Sequence, residues 1–161
     1  MSAVARGSLR DALAWAGRIG LAGLFAYAGA TKLGSAAELA RDIANYRLVP
    51  EVVATWAALF LPLFELVLAA GLLLTSHVRG AAALCALLLA AFAAAMAQAK
   101  LRGIDLACGC FGGDSQVSWG KVAVDLALAA LAVWLVAISV PRVPRVPRSG
   151  RPVVASGGGV P

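Results

Sequence analysis

The sequence predicts an all-α membrane protein, a bundle of four transmembrane helices with both termini in the cytoplasm. Three observations carry this reading. Of 161 residues, 61% are hydrophobic and only 14% are charged, with a mean hydropathy of +0.87, far from the balance of a soluble domain. The apolar residues fall in four long runs rather than along narrow amphipathic stripes. Arginines gather immediately after the last run, at Arg142, Arg145, Arg148 and Arg151, and positive segments flanking a span stay on the cytoplasmic side.

The first apolar run covers about residues 13–33, interrupted only by Arg18 and Lys32, after an N-terminus bearing Arg6 and Arg10. At helical rise this length crosses the hydrocarbon core. A polar connection with Glu38, Arg41, Asp42, Asn45, Tyr46 and Arg47 follows, and Pro50 marks the boundary before a second run over about 52–75. That run carries Pro62 and Glu65. A short turn around Ser76, His77 and Arg79 leads to an Ala/Leu-rich third run over about 80–99, so these two helices are expected to be antiparallel neighbours. A loop with Cys108 and Cys110 then precedes Trp119 and a fourth run over about 122–140. Residues 1–140 thus read as one membrane domain. Residues 141–161, basic and rich in Pro and Gly, cannot bury a core and read as a disordered cytoplasmic tail.

The net charge of +6 and pI near 9.9 reflect topology rather than nucleic-acid binding, because no aromatic residues interleave the arginines of the tail. Four spans place both ends on one side, and the arginine cluster assigns that side to the cytoplasm. The cysteine loop then faces outward. An alternative reads Ala26-Tyr27-Ala28 as a cleavage site after a short apolar run; three spans would remain, with the same loop outside.

Ionisable residues within spans are the candidates for chemistry, since an unpaired charge in hydrocarbon is costly. Glu65 lies about 20 Å along the second run and Arg18 roughly 22 Å into the first from the same surface, which predicts an Arg18–Glu65 pair. Such a pair either locks two helices together or serves a proton or ligand. Pro62 is expected to bend its helix and widen the bundle beside Glu65. Lys32 and Asp125, at matching depth beneath the cysteine loop, form a second candidate pair. The residues call for no metal site.

Cys108-Gly109-Cys110 is by spacing alone a weak motif, and two such thiols can also bind a soft metal. Outside the cytoplasm thiols tend toward oxidation, and Gly109 supplies the backbone freedom that brings two sulfurs together. A disulfide across one residue closes a strained, easily reduced ring, which suits exchange better than stapling. Lys100 and Arg102 favour the thiolate while Asp105 and Asp114 oppose it. Cys85, within the third run, reads as a small buried hydrophobe.

Four sequence elements together resemble one family. They are Arg18 with Ala28-Gly29-Ala30-Thr31-Lys32-Leu33, Tyr46-Arg47-Leu48-Val49-Pro50, Leu61-Pro62-Leu63-Phe64-Glu65-Leu66, and Arg102-Gly103 leading into Cys108-Gly109-Cys110-Phe111-Gly112. The chain is similar to the MauE group of methylamine utilisation membrane proteins, within the wider DoxX-like four-helix superfamily. The resemblance implies a multi-pass protein of the bacterial inner (plasma) membrane, needed to mature a disulfide-rich periplasmic methylamine dehydrogenase in concert with a thioredoxin-like partner. Arg102, Gly109, Phe111 and Gly112 then support the loop. Two functions stay open. In one, Cys108 and Cys110 exchange disulfides with an extracytoplasmic thioredoxin-like protein, passing electrons to a quinone or to another dithiol. In the other, the chain is a non-catalytic assembly factor or carrier of a small molecule or metal, with Glu65 as its intramembrane site and the cysteines as a structural clip. The lipid bilayer is the partner common to both.

Overall fold

A computed structural model describes residues 3–74, 76–104 and 118–139. Cys108, Gly109, Cys110, Phe111, Gly112 and the tail from residue 140 lie outside the described residues. Among the described residues five helices run in order: α1 (Ala3–Lys32), α2 (Ala36–Asn45), α3 (Glu51–Leu73), α4 (Val78–Leu101) and α5 (Trp119–Ile138). Among the described residues α3, α4 and α5 are long and apolar enough to cross a membrane. α1 is longer still, 30 residues or about 45 Å, but its N-terminal third is polar. It starts ten residues before the apolar run, and Arg10 and Asp11 within this extension are exposed.

The four long helices close a ring in which α1 packs on α3 and α5, and α4 packs on α3 and α5. α3 runs unbroken through Pro62, which is fully buried. The bundle is tight here rather than widened: a Cβ added to Gly29 on α1 would stand 2.8 Å from the Pro62 carbonyl oxygen. The missing side chain of Gly29 lets α1 close on α3 at the level of the proline, which corrects the expected local widening.

The polar connection after α1 contains a helix that charge composition obscured. In α2, Leu39, Asp42, Ile43 and Tyr46 recur at helical spacing on one face, while Glu38 and Arg41 are exposed. The Ser35 carbonyl accepts from Leu39 N–H at 2.9 Å to start it, and Glu38 in the first turn suits the positive end of the helix dipole. Its inner face lies against α3.

The two ends that flank the cysteine loop are both capped. α4 stops in a Schellman motif: Ile104 N–H donates to Ala99 O at 3.0 Å and Gly103 N–H to Lys100 O at 3.1 Å, with Gly103 at φ +68°. Ile104 then packs against the buried cluster of Ala93, Met96, Ala99 and Val122. The Arg102-Gly103 dipeptide is therefore a helix stop. α5 begins at Ser118, whose Oγ accepts from Lys121 N–H at 3.3 Å.

Burial is inverted relative to a soluble protein. Leu87 and Val67 are 67% and 66% exposed, whereas Lys32 and Glu65 are 3% and 1% exposed. Large apolar side chains face outward around the ring, and four ionisable ones (Arg18, Lys32, Glu65 and Asp125) face in. Water would penalise such a surface and a bilayer favours it.

Candidate functional site

The centre of the site is an ion pair between α1 and α3. Lys32 Nζ donates to Glu65 Oε1 at 2.6 Å, with both side chains buried. The Lys32 ammonium also stands 5.9 Å from the centre of the Phe92 ring on α4, within reach of a cation–π attraction. Glu65 Oε2 is buried with no hydrogen-bond partner among the described residues. It adjoins a cavity of about 30 Å³ lined by Lys32, Glu65, Phe92, Asp125 and apolar residues of α1 and α4, large enough for one water molecule.

The Arg18–Glu65 pair expected from sequence is not formed. Arg18 instead binds the C-terminal end of α3, donating from Nε to Leu72 O at 2.9 Å and from an Nη nitrogen to Leu73 O at 3.2 Å. Its guanidinium lies 4.2 Å from the centre of the Trp15 ring. These carbonyls lack partners within their own helix and carry the negative end of its dipole, so a buried arginine is well placed there.

Helix register explains why depth counting failed. Gly29 of α1 lies beside Pro62 and Leu66 of α3, so on these antiparallel helices Glu65 faces the last turns of α1 while Arg18 faces the end of α3. Each Cα–Cβ bond also tilts toward the N-terminus of its helix, which carries the Arg18 side chain toward the end of α3 and that of Glu65 back toward its start. Lys32, at the end of α1, leans back to meet Glu65. Asp125, near the start of α5, reaches the same small cavity, so three of the four predicted charges converge at one end of the bundle and Arg18 alone lies apart.

A second, larger chamber of about 170 Å³ sits beyond Lys32. Its floor is Lys32 and Phe92, its walls are Leu61, Ala95 and Met96, and its roof is the inner face of α2 with Leu39, Asp42, Ile43 and Tyr46. Sequence reasoning missed this chamber. The signal was present in the i, i+3, i+4, i+7 spacing of residues 39, 42, 43 and 46, which marks a helical face. Burial, and then the neighbouring Glu38, push the Asp42 carboxyl above its ordinary pKa, and Arg41 opposes this only in part. Cys85 is fully buried and its thiol is free. Among the described residues no three His, Cys, Asp or Glu side chains gather as a metal set.

Comparison with known proteins agrees with these features. The family model described as "Methylamine utilisation protein MauE" matches residues 10–138. The chain is 42% identical over 122 residues to a methylamine utilization protein MauE of Paracoccus denitrificans, covering 74% of this chain and 66% of that protein. It is 36% identical over 127 residues to the corresponding protein of Paracoccus versutus, covering 77% and 68%. This chain thus spans about two thirds of the length of these relatives. No solved structure matches it. The family match takes in the four buried charges of the described residues, the roof helix α2 and the segment that joins α4 to α5, and the chain belongs to the MauE family of methylamine utilisation proteins.

Proposed function

We propose that this chain is a four-span inner-membrane protein of extracytoplasmic disulfide exchange, acting in the maturation of proteins for methylamine use, with Cys108 and Cys110 as the exchanging pair. The observation that carries the reading is the capping of both helix ends that hold the cysteine segment. The segment leaves at Ile104, directly after a Schellman stop, and returns at Ser118, a side-chain cap. Both anchors lie at the end of the bundle that carries α2 and the Lys32–Glu65 pair. A loop anchored in this way on a rigid scaffold suits encounters with a partner.

In this reading α1 also spans, its buried charges satisfied by Glu65 and by the α3 carbonyls, with both termini and the 141–161 tail in the cytoplasm. One cysteine thiolate attacks a disulfide of a thioredoxin-like partner, forming a mixed disulfide and releasing a partner thiolate. The second cysteine resolves it. Cys108–Cys110 ends oxidised, the partner ends as a dithiol, and two electrons and two protons have passed between them. The opposite direction balances equally.

The test replaces Cys110 with serine in cells making the full chain, then labels with a membrane-impermeant thiol reagent and traps mixed disulfides. Labelling of intact cells at Cys108, with a covalent adduct to a thioredoxin-like protein, is the expected outcome. Full maturation activity in a Cys108→Ser, Cys110→Ser double variant would exclude exchange. The second reading, a small-molecule carrier centred on Glu65, is favoured by the Glu65 Oε2 that has no hydrogen-bond partner among the described residues and by the small cavity it adjoins.

A further inference from the structure

The chamber under α2 is a built cavity whose chemistry is specific enough to name an occupant. Its volume of about 170 Å³ is close to that of an apolar cavity known to hold benzene, about 150 Å³, so it accommodates one six-membered ring with small substituents. Two of its lining residues are aromatic, Tyr46 in the roof and Phe92 in the floor, and most of the others are aliphatic. Flat contacts with a ring are favoured there.

Polarity at the floor narrows the class further. Lys32 is buried and supplies three N–H donors and no acceptor. Glu65 Oε1 takes one of them. A ligand group that meets Lys32 must therefore accept a hydrogen bond. It must also be uncharged: the Lys32–Glu65 pair is already neutral as a unit, the walls solvate no ion, and a carboxylate, Asp42, sits in the roof and repels anions. Leu48, at 42% exposure, and the partly buried Leu61 line the chamber, and α3 beside it presents exposed Phe60 and Phe64 to the surroundings. The approach is apolar.

We infer that this chamber binds a neutral, single-ring carbonyl compound of the lipid phase, of the chemistry of a quinone ring, with one carbonyl oxygen accepting a hydrogen bond from Lys32 Nζ. The ring stacks between Tyr46 and Phe92, and α2 closes over it. Glu65 fixes the Lys32 ammonium in place and is a positioning residue. The inference stands apart from disulfide exchange and uses no residue of the cysteine segment.

The test uses the full chain purified in detergent, with duroquinone as probe, since its four methyl groups prevent addition of thiols. Durene, the same tetramethyl ring without carbonyls, is the comparator at equal mole fraction in the detergent. Binding is read from the rise in unfolding midpoint, followed by circular dichroism. Duroquinone should bind in a saturable manner and about tenfold more tightly than durene, the worth of a hydrogen bond to a charged donor. Ala95→Phe fills the chamber from α4 and Ile43→Trp fills it from α2; each should abolish the duroquinone shift while the helical signal is retained. Equal shifts with the two compounds would show partitioning without recognition and overturn the proposal. So would an undiminished duroquinone shift in whichever filled variant folds.

Discussion

Lys32 Nζ and Glu65 Oε1 stand 2.6 Å apart across the α1–α3 interface, and this contact neutralises the two most deeply buried charges among the described residues. Each needs the other. Substituting one partner of a buried pair leaves the other charge unpaired, at a cost of about 3–5 kcal/mol, whereas replacing both with apolar residues of similar size is often nearly neutral. Lys32→Met and Glu65→Leu should each sharply lower the yield of folded protein, and the double variant should recover it. Denaturant unfolding in detergent checks this. A double variant no better than the worse single one would assign the pair a role other than mutual neutralisation.

Arg18 should behave independently of Glu65. Its two hydrogen bonds go to the last carbonyls of α3, so Arg18→Met is expected to lose about 2 kcal/mol, as for hydrogen bonds to a charged group. Lysine, a single-point donor, should restore only part. In a double-mutant cycle with Glu65→Gln the coupling energy should stay within about 0.5 kcal/mol, the scatter of uncoupled sites. A coupling of several kcal/mol would restore the pair expected from sequence.

Gly29 should tolerate no added carbon. Alanine is favoured over glycine within a helix by about 1 kcal/mol, yet at this position its Cβ would meet a backbone oxygen at 2.8 Å. Gly29→Ala is therefore expected to destabilise by about 1–3 kcal/mol as the helices are forced apart. Gly23 lies on the same helix with nothing within 4 Å of an added Cβ, and Gly23→Ala should be neutral or stabilising. Thermal unfolding of the two variants side by side decides the matter.

Asp42 gives a pH dependence with a definite sign. Its folded-state pKa is raised by burial and by Glu38, so folding disfavours the ionised form. The associated stability is complete below the unfolded pKa, about 3.9, and is lost as pH rises through the higher folded value. Asp42→Asn should thus stabilise the roof helix at neutral pH by less than about 1 kcal/mol, as befits a partly exposed group. The gain should fade as pH falls toward 4. Hydrogen exchange of α2 amides across that range measures it; a gain that grows on acidification would contradict the assignment.

Much of the architecture was legible because a bilayer imposes strong constraints on sequence. Runs of about twenty apolar residues foretold α3, α4 and α5 to within a few residues, and the rarity of charge in such runs singled out Arg18, Lys32, Glu65 and Asp125, all of which prove to be buried. Arg102-Gly103 was visible as a motif, although only the positive φ of Gly103 and its Schellman bonds show that it stops a helix.

Partnership among the charges was decided by the tertiary structure. Counting residues inward from the ends of two apolar runs assumes that both runs enter the bilayer at the same level. The close approach of Gly29 to Pro62 and Leu66 sets a different register, with Glu65 beside the last turns of α1 and Arg18 beside the end of α3. One-dimensional depth therefore suggested Arg18 for Glu65, and three-dimensional packing selected Lys32. The chamber under α2 was hidden for a related reason: its volume is the space left between the ends of α1, α3 and α4 and a short helix above them, and no single segment of sequence encodes that space.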